Sequence, residues 1–150
     1  MTPGTGDRTA DASGPRSVAL PWRLAWPVAV ASELAGLIHL AFAREHLHEW
    51  IPFGLFFLAS GFFQIVWAAM AFAPRSRRFF VFGLVVNALT AVLWAITRTV
   101  GLPVGPEHWS AEVAGPPDIT ATALEALIVA IGVWVLATAA RSPRVRHAPA

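Results

Sequence analysis

The chain has 150 residues, of which 56% are apolar and 13% are charged. Soluble domains of this length have about a quarter charged residues, so the composition excludes an ordinary soluble protein and favours one membrane domain. The sequence contains no cysteine and no lysine, which excludes disulfides, thiolate nucleophiles, cysteine-bound metals and Schiff-base chemistry.

The N-terminal residues 1–20 are small, polar and interrupted by Gly and Pro, which predicts a disordered tail. The first apolar run covers about residues 22–43, with Pro27 in its first turns, where a missing N–H costs least. Its end, at residues 41–43, also fits the A-x-A pattern of signal-peptide cleavage. The length of the run and the carboxylate of Glu33 in its middle favour an uncleaved helix instead.

Three further apolar runs follow the first one. Each has about 20 residues, enough to cross a bilayer core of about 30 Å. The connections after the first two runs are short, which forces neighbouring helices to be antiparallel. The sequence therefore predicts an all-α, four-helix transmembrane bundle with up-down-up-down topology in residues 21–141, followed by a basic tail, 142–150. The predicted helices cover about residues 22–43, 50–73, 79–100 and 118–140.

The arginines are distributed unevenly along the chain. Nine of the eleven lie in three short segments before the first run, between the second and third, and after the fourth. This positive-inside pattern predicts a multi-pass protein of the plasma membrane with both termini in the cytoplasm. The lipid bilayer is then the expected partner. Nucleic acid is not, because the arginines flank spans and no aromatic-basic groove pattern accompanies them.

Three polar residues fall near the predicted midplane, each on a different helix. Glu33, Gln64 and Asn87 lie about 15–20 Å from the outer ends at about 1.5 Å per residue. Polar groups at this depth are costly if unpaired, so we expect the three side chains to face inward and hydrogen-bond one another. The alternative is that they only hold the helices in register.

A second polar group lies closer to the outer ends of the spans. Arg98 and Glu125 have similar predicted depths on antiparallel neighbours, which predicts an ion pair between them. His39 reaches the same level from the first helix. Asp118 follows two prolines and is expected to N-cap the fourth helix. The alternative is a purely structural salt bridge, with Arg98 reaching towards the interface.

The connection at 44–49 contains two histidines and two carboxylates, which raises a metal-site hypothesis. Imidazole and carboxylate ligands suit zinc or copper. If the first helix continues past Arg44, His39 and His46 share one face. His108 and Glu112 could then complete the ligand set. The spacing matches no recognised metal motif, and an interfacial connection with merely polar histidines is the alternative.

The long connection, residues 101–117, is rich in Gly and Pro and is expected to be either a lid or a solvated tether. Together these features predict an outward-facing polar site, between the helices and under this connection, that binds a small ligand or a metal ion. Two alternatives remain open. One is a structural or accessory subunit of a larger membrane complex or homo-oligomer. The other is an enzyme acting on a lipid-like substrate, with His39 or Glu33 as general base.

Three stretches carry a resemblance to known sequences: GLIHLAFAREHLHEW, NALTAVLWAITRTVGLPVGP and GPPDITATALE. They resemble a family of small four-span integral membrane proteins of high-GC bacteria, over about residues 25–140. The sharpest element is the Arg-x-x-Gly-Leu-Pro-x-Gly-Pro turn that begins at Arg98. The resemblance implies the four-span architecture. It implies no activity, cofactor or site residue.

Overall fold

The computed structural model describes residues 17–18, 20–73, 75–106 and 108–141. Its four helices are α1 (Trp22–Glu49), α2 (Ile51–Ala69), α3 (Arg77–Thr99) and α4 (Pro116–Arg141). All four are long and apolar enough to cross a membrane. The predicted all-α, four-helix fold is confirmed, and the chain is a multi-pass membrane protein in contact with the lipid bilayer.

The first connection differs from the prediction. Helix α1 continues through residues 44–49, which were expected to form a loop, and α2 begins at Ile51. The only residue between them is Trp50, in an extended conformation with φ −162° and ψ 124°. Pro52 explains the break, because it has no N–H to continue the helical hydrogen bonds and its ring clashes with the preceding turn.

The other helix ends have local causes. Helix α3 begins at Arg77, after Ser76, whose Oγ accepts a 3.2 Å hydrogen bond from the backbone N–H of Phe79. Beyond the end of α3, Gly101 has a φ of 73°, a left-handed conformation that favours glycine. Its N–H donates to the carbonyl of Ile96 at 3.0 Å, which closes the last turn.

Two short strands lie at the end of the bundle that carries most arginines, called here the basic end. Strand β1 (Ser17–Val18) pairs antiparallel with β2 (Arg75–Ser76). Part of the predicted disordered tail is therefore ordered against the α2–α3 connection. The rest of that tail, residues 1–16 and 19, and the tail 142–150 lie outside the described residues. The opposite end, which carries residues 100–115, is called the loop end.

The helices pack most closely where side chains are small. A Cβ on Gly36 of α1 would lie 2.8 Å from the carbonyl oxygen of Gly61 on α2, so the two backbones touch, as small residues permit in membrane helices. The apolar core lies mainly in the basic half of the bundle. It consists of Val28, Ala31, Trp67, Phe80, Leu84 and Ile128. The buried polar residues and the cavities described next lie in the middle and the loop half.

Candidate functional site

A buried polar cluster centred on Gln64 joins all four helices. The Gln64 side chain is 0% exposed, and its Nε2 donates to Oε1 of Glu125 at 2.8 Å and to Oδ1 of Asn87 at 3.3 Å. Asn87 in turn donates from Nδ2 to the carbonyl of Gly83 at 2.8 Å. Ser32 of α1 donates from Oγ to the backbone carbonyl of Gln64 at 2.7 Å. The predicted contact between Gln64 and Asn87 is confirmed.

The predicted third member of this cluster, Glu33, is not part of it. Glu33 is exposed on the outside of α1, whereas its neighbour Ser32 faces the core. Successive helical residues are rotated by about 100° around the axis, so the two cannot share a face. The buried carboxylate comes from Glu125 of α4, which is 1% exposed. The expectation that Glu33 faces inward is therefore wrong.

His39 lies beside Glu125 and has a defined orientation. The residue is 5% exposed, and its Nδ1 lies 2.9 Å from the carbonyl oxygen of Ala35. A carbonyl can only accept, so Nδ1 carries the proton, and a neutral ring then presents a lone pair at Nε2. That atom lies 3.8 Å from Oε1 of Glu125. This separation is too long for a hydrogen bond, so the two groups face each other across a gap.

Arg98 forms ion pairs at the loop end rather than with Glu125. Its Nη2 donates to Oδ2 of Asp118 at 2.8 Å, and its Nη1 pairs with Oε2 of Glu112. The predicted partner is wrong because the depths do not match. Asp118 lies in the first turn of α4, and Glu125 lies seven residues further along, about 10 Å deeper. The backbone N–H of Glu112 also donates to the carbonyl of Thr97 at 3.0 Å, which holds the long connection against α3.

Asp118 does not occupy the N-cap position that was predicted for it. Helix α4 begins at Pro116, and its first hydrogen bond joins the N–H of Ile119 to the carbonyl of Gly115 at 3.1 Å. Asp118 lies three residues after Gly115 and accepts from the Gly115 N–H at 3.1 Å. In a capping box, the side chain of the third helical residue accepts from the backbone N–H of the N-cap residue, and Asp118 makes this contact with Gly115. Asp118 therefore both stabilises the start of α4 and binds Arg98.

A cavity of about 80 Å³ extends into the bundle from the loop end, and all four helices contribute to its walls. Its polar lining includes His39 and Glu125 at the deep end and Arg98, Glu112 and Asp118 near the loops. Much of the remaining wall is aromatic: Phe42, Phe53, Phe56, Phe57 and Trp94. Gln64 and Asn87 are not among the lining residues, so they support the deep end from behind.

A wider mouth of about 640 Å³ adjoins this cavity and is lined by the long connection. Arg98, Glu112 and Asp118 line both spaces. The ion-paired group therefore lies where the mouth meets the inner cavity. Because Leu102 and Glu112 belong to the long connection and line both spaces as well, this connection has the position of a lid rather than of a free tether.

The two histidines proposed as metal ligands do lie on the same wall. Both rings pack against Phe57, with centroids 5.2 Å away for His39 and 3.9 Å away for His46. The Nδ1 of His46 is hydrogen-bonded to Oε2 of Glu49 at 2.7 Å. Across the part of the chain that the structure describes, no three His, Asp or Glu side chains are arranged to hold a metal ion. The zinc or copper hypothesis gains no support from this geometry.

Several site residues were not predicted from the sequence. Ser32, Thr90 and Thr97 were missed, and Glu112 was considered only as a metal ligand. The helical spacing could have indicated that two of them, Ser32 and Thr90, are buried. Ser32 lies seven residues before His39, and Thr90 lies three after Asn87, so each shares the buried face of its helix.

Comparison with known proteins does not assign a function to this site. No protein-family model, no curated protein and no solved structure matches the chain. The function is therefore inferred from the residues themselves and from their arrangement.

Proposed function

We propose that this membrane protein binds a small ligand in the cavity between its four helices. The observation that carries the proposal is the closed end of that cavity, where Glu125 and His39 are buried at the middle of the bundle yet line an open space. Ionisable groups at this depth are expensive and mark functional sites in membrane proteins. An apolar, partly aromatic pocket with a few convergent polar groups is the usual form of a small-ligand site.

We further propose that the cavity opens to the outside of the bacterial inner membrane. The arginines at the basic end support this orientation, since cytoplasmic connections carry an excess of basic residues. Arg23, Arg77, Arg78 and Arg141 are exposed there. The mouth at the other end is lined instead by carboxylates, namely Glu45, Glu49, Glu112 and Asp118.

A structural or accessory role is the main competing interpretation, and the hydrogen bonds of Gln64 with Asn87 and Glu125 are consistent with it. Polar groups that only join helices should be fully paired, because unpaired buried groups cost free energy. Three buried atoms have no hydrogen-bond partner among the described residues: Gln64 Oε1, Trp94 Nε1 and Arg98 Nε. Two of these residues, Trp94 and Arg98, belong to the cavity wall, and unmet hydrogen-bonding capacity there favours a binding role over a purely structural one.

A fragment screen tests the binding proposal. Thermal unfolding of the detergent-purified protein would be followed with a library of small polar fragments, for the native chain and for Thr122→Phe, which places a ring on the cavity wall. The matched control is Ala126→Phe, one turn further along α4 at an exposed position. We expect fragments to stabilise the native chain and the control but not Thr122→Phe. A library without any stabilising fragment would overturn the proposal.

The orientation has its own test, which uses the absence of native cysteine. Ser110→Cys lies at the loop end and Arg77→Cys at the basic end, both at exposed positions. A membrane-impermeant maleimide added to intact cells should label only Ser110→Cys, and both variants after lysis. Labelling of Arg77→Cys alone in intact cells would reverse the orientation.

A further inference from the structure

The outer face of α1 carries a carboxyl group in the middle of the membrane. Arg23 and Arg44 are both exposed and lie 21 residues apart on this helix. At about 1.5 Å per residue they are about 31 Å apart, which is close to the thickness of a bilayer core. Glu33 is exposed almost halfway between them, and its side chain is too short to reach either interface as a long Arg or Lys side chain can. Glu33 therefore faces the hydrocarbon near its centre.

This carboxyl group has no partner within the described part of the chain. Glu33 forms no hydrogen bond and no ion pair with any residue that the structure describes. A polar group inside a span is costly when it is left unpaired in hydrocarbon, so such groups nearly always face another protein group. The position of Glu33 therefore requires a polar partner from outside the chain.

The residues around Glu33 suit a contact between two membrane helices. Val30 and Leu37 lie three residues before it and four after it, and are 46% and 49% exposed. Residues at these spacings are neighbours on a helix surface. Leu34, beside them, is 47% exposed. This face of α1 is apolar around one polar position, so a second helix can pack along it while the polar contact fixes the register.

A second copy of the chain can offer a polar partner at this depth only through α1 itself. Every exposed residue within 55–66 of α2, 85–92 of α3 and 123–133 of α4 is apolar, so packing of α1 against any of these helices would leave Glu33 unpaired. Two copies in one membrane have the same orientation, so a twofold axis between them runs along the membrane normal and brings equivalent residues together at equal depth. Contact of α1 with α1 therefore places the two Glu33 side chains opposite each other.

We propose that the chain forms a homodimer in the membrane through the outer face of α1, with the two Glu33 carboxyl groups hydrogen-bonded to each other. A protonated carboxyl group has one O–H donor and also accepts, so two of them satisfy each other by reciprocal hydrogen bonds. The contact stabilises the dimer and not the fold of a single chain. Because Glu33 does not line the cavity, the proposal is independent of the function proposed above.

Cysteine cross-linking tests the contact, because the native chain contains no cysteine. Val30→Cys and Leu37→Cys would each be oxidised in membranes with copper phenanthroline, and the covalent dimer measured by non-reducing electrophoresis. The matched control is Leu89→Cys, which is 62% exposed in the middle of α3. Two cysteines are bridged only when their Cα atoms come within about 7 Å, so we expect at least one α1 variant to form about fivefold more dimer than the control. Equal fractions in all three variants would overturn the proposal.

Substitutions at Glu33 separate hydrogen bonding from apolar packing. Association in liposomes would be measured by energy transfer between copies labelled at Ser110→Cys. Glu33→Leu should weaken it by about tenfold, because the apolar face is kept while the interhelical hydrogen bonds are lost. Glu33→Gln should stay within about threefold of the parent chain, since an amide both donates and accepts.

Two results would contradict the homodimer. One is equal association of the parent chain and Glu33→Leu, which would show that the carboxyl groups do not meet. The other is a chain that stays single in liposomes while Leu37→Cys cross-links to a different protein in cell membranes. The outer face of α1 would then belong to another membrane protein.

Discussion

Gln64 and Glu125 meet in the centre of the bundle, where Nε2 of the amide donates a 2.8 Å hydrogen bond to Oε1 of the carboxyl group. The two side chains are 0% and 1% exposed, so neither has water as an alternative partner. The bond ties α2 to α4 and holds Glu125 at the deep end of the cavity. Stability and the proposed binding site therefore depend on the same contact.

Removing the donor and the acceptor together should cost less stability than the two single losses added together. Gln64→Leu leaves the Glu125 carboxyl group buried without its donor and should lower the free energy of unfolding by about 1–2 kcal/mol. The double variant Gln64→Leu, Glu125→Leu should lose less than the sum of the two single changes. Unfolding in mixed micelles, followed by the loss of helicity, would be measured for the native chain, the two single variants and the double variant. Strictly additive losses would show that the two side chains do not interact.

The four spans could be predicted because hydropathy and length are properties of each segment alone. The junction of α1 and α2 could not be predicted in this way, because residues 44–49 are polar and their composition is typical of a loop. In the structure they extend α1, which ends at Glu49, because Pro52 is the first residue that prevents helical hydrogen bonding. A break in hydropathy marks the edge of the apolar span and need not mark the end of the helix.

The candidate site could be predicted only in part, for a related reason. The cost of a carboxyl group inside a span applies equally to Glu33 and Glu125, and hydropathy does not say which one faces the core. The buried positions Ser32, Ala35 and His39 define the inner face of α1, and Glu33 lies off that face. The pairing of Arg98 with Glu112 depended on the path of the long connection, which local spacing does not contain.

Double-mutant cycles should distinguish Asp118, the observed partner of Arg98, from Glu125, the partner predicted from the sequence. We expect Arg98→Ala and Asp118→Ala to be coupled by about 1–3 kcal/mol, because charge-assisted hydrogen bonds are stronger than neutral ones. Arg98→Ala and Glu125→Ala should be additive within about 0.5 kcal/mol, as expected for groups that share no contact. The free energy of unfolding of each single and double variant provides both values. A larger coupling with Glu125 would contradict the observed geometry.

The two intramembrane glutamates should respond in opposite ways to the same substitution. Glu33→Leu removes a carboxyl group from an exposed position in the middle of α1, where lipid surrounds it in a single chain, and should leave the free energy of unfolding of that chain unchanged or raise it. Glu125→Leu removes the acceptor of Gln64 and should lower it by about 1–3 kcal/mol. Thermal unfolding in a lipid nanodisc that holds one chain measures both. A loss for Glu33→Leu as large as that for Glu125→Leu would mean that Glu33 has a structural partner.

The close contact of α1 with α2 should not tolerate a larger residue at Gly61. A Cβ at this position would lie 2.8 Å from the Leu40 side chain and 2.9 Å from the Gly36 carbonyl oxygen. The backbone oxygen cannot move away without separating the helices. Gly61→Val should therefore cost about 1–3 kcal/mol of unfolding free energy, the usual cost of overpacking.

The matched control for this change is Ala59→Val, two residues earlier on the exposed side of α2. Its additional methyl groups face lipid, so we expect a change in unfolding free energy below about 0.5 kcal/mol. Because Phe53, Phe56 and Phe57 of α2 line the cavity together with residues of α1, separating the two helices should also weaken the binding of any fragment found in the screen. Equal effects of Gly61→Val and Ala59→Val on unfolding would show that α1 and α2 are not held by this glycine contact.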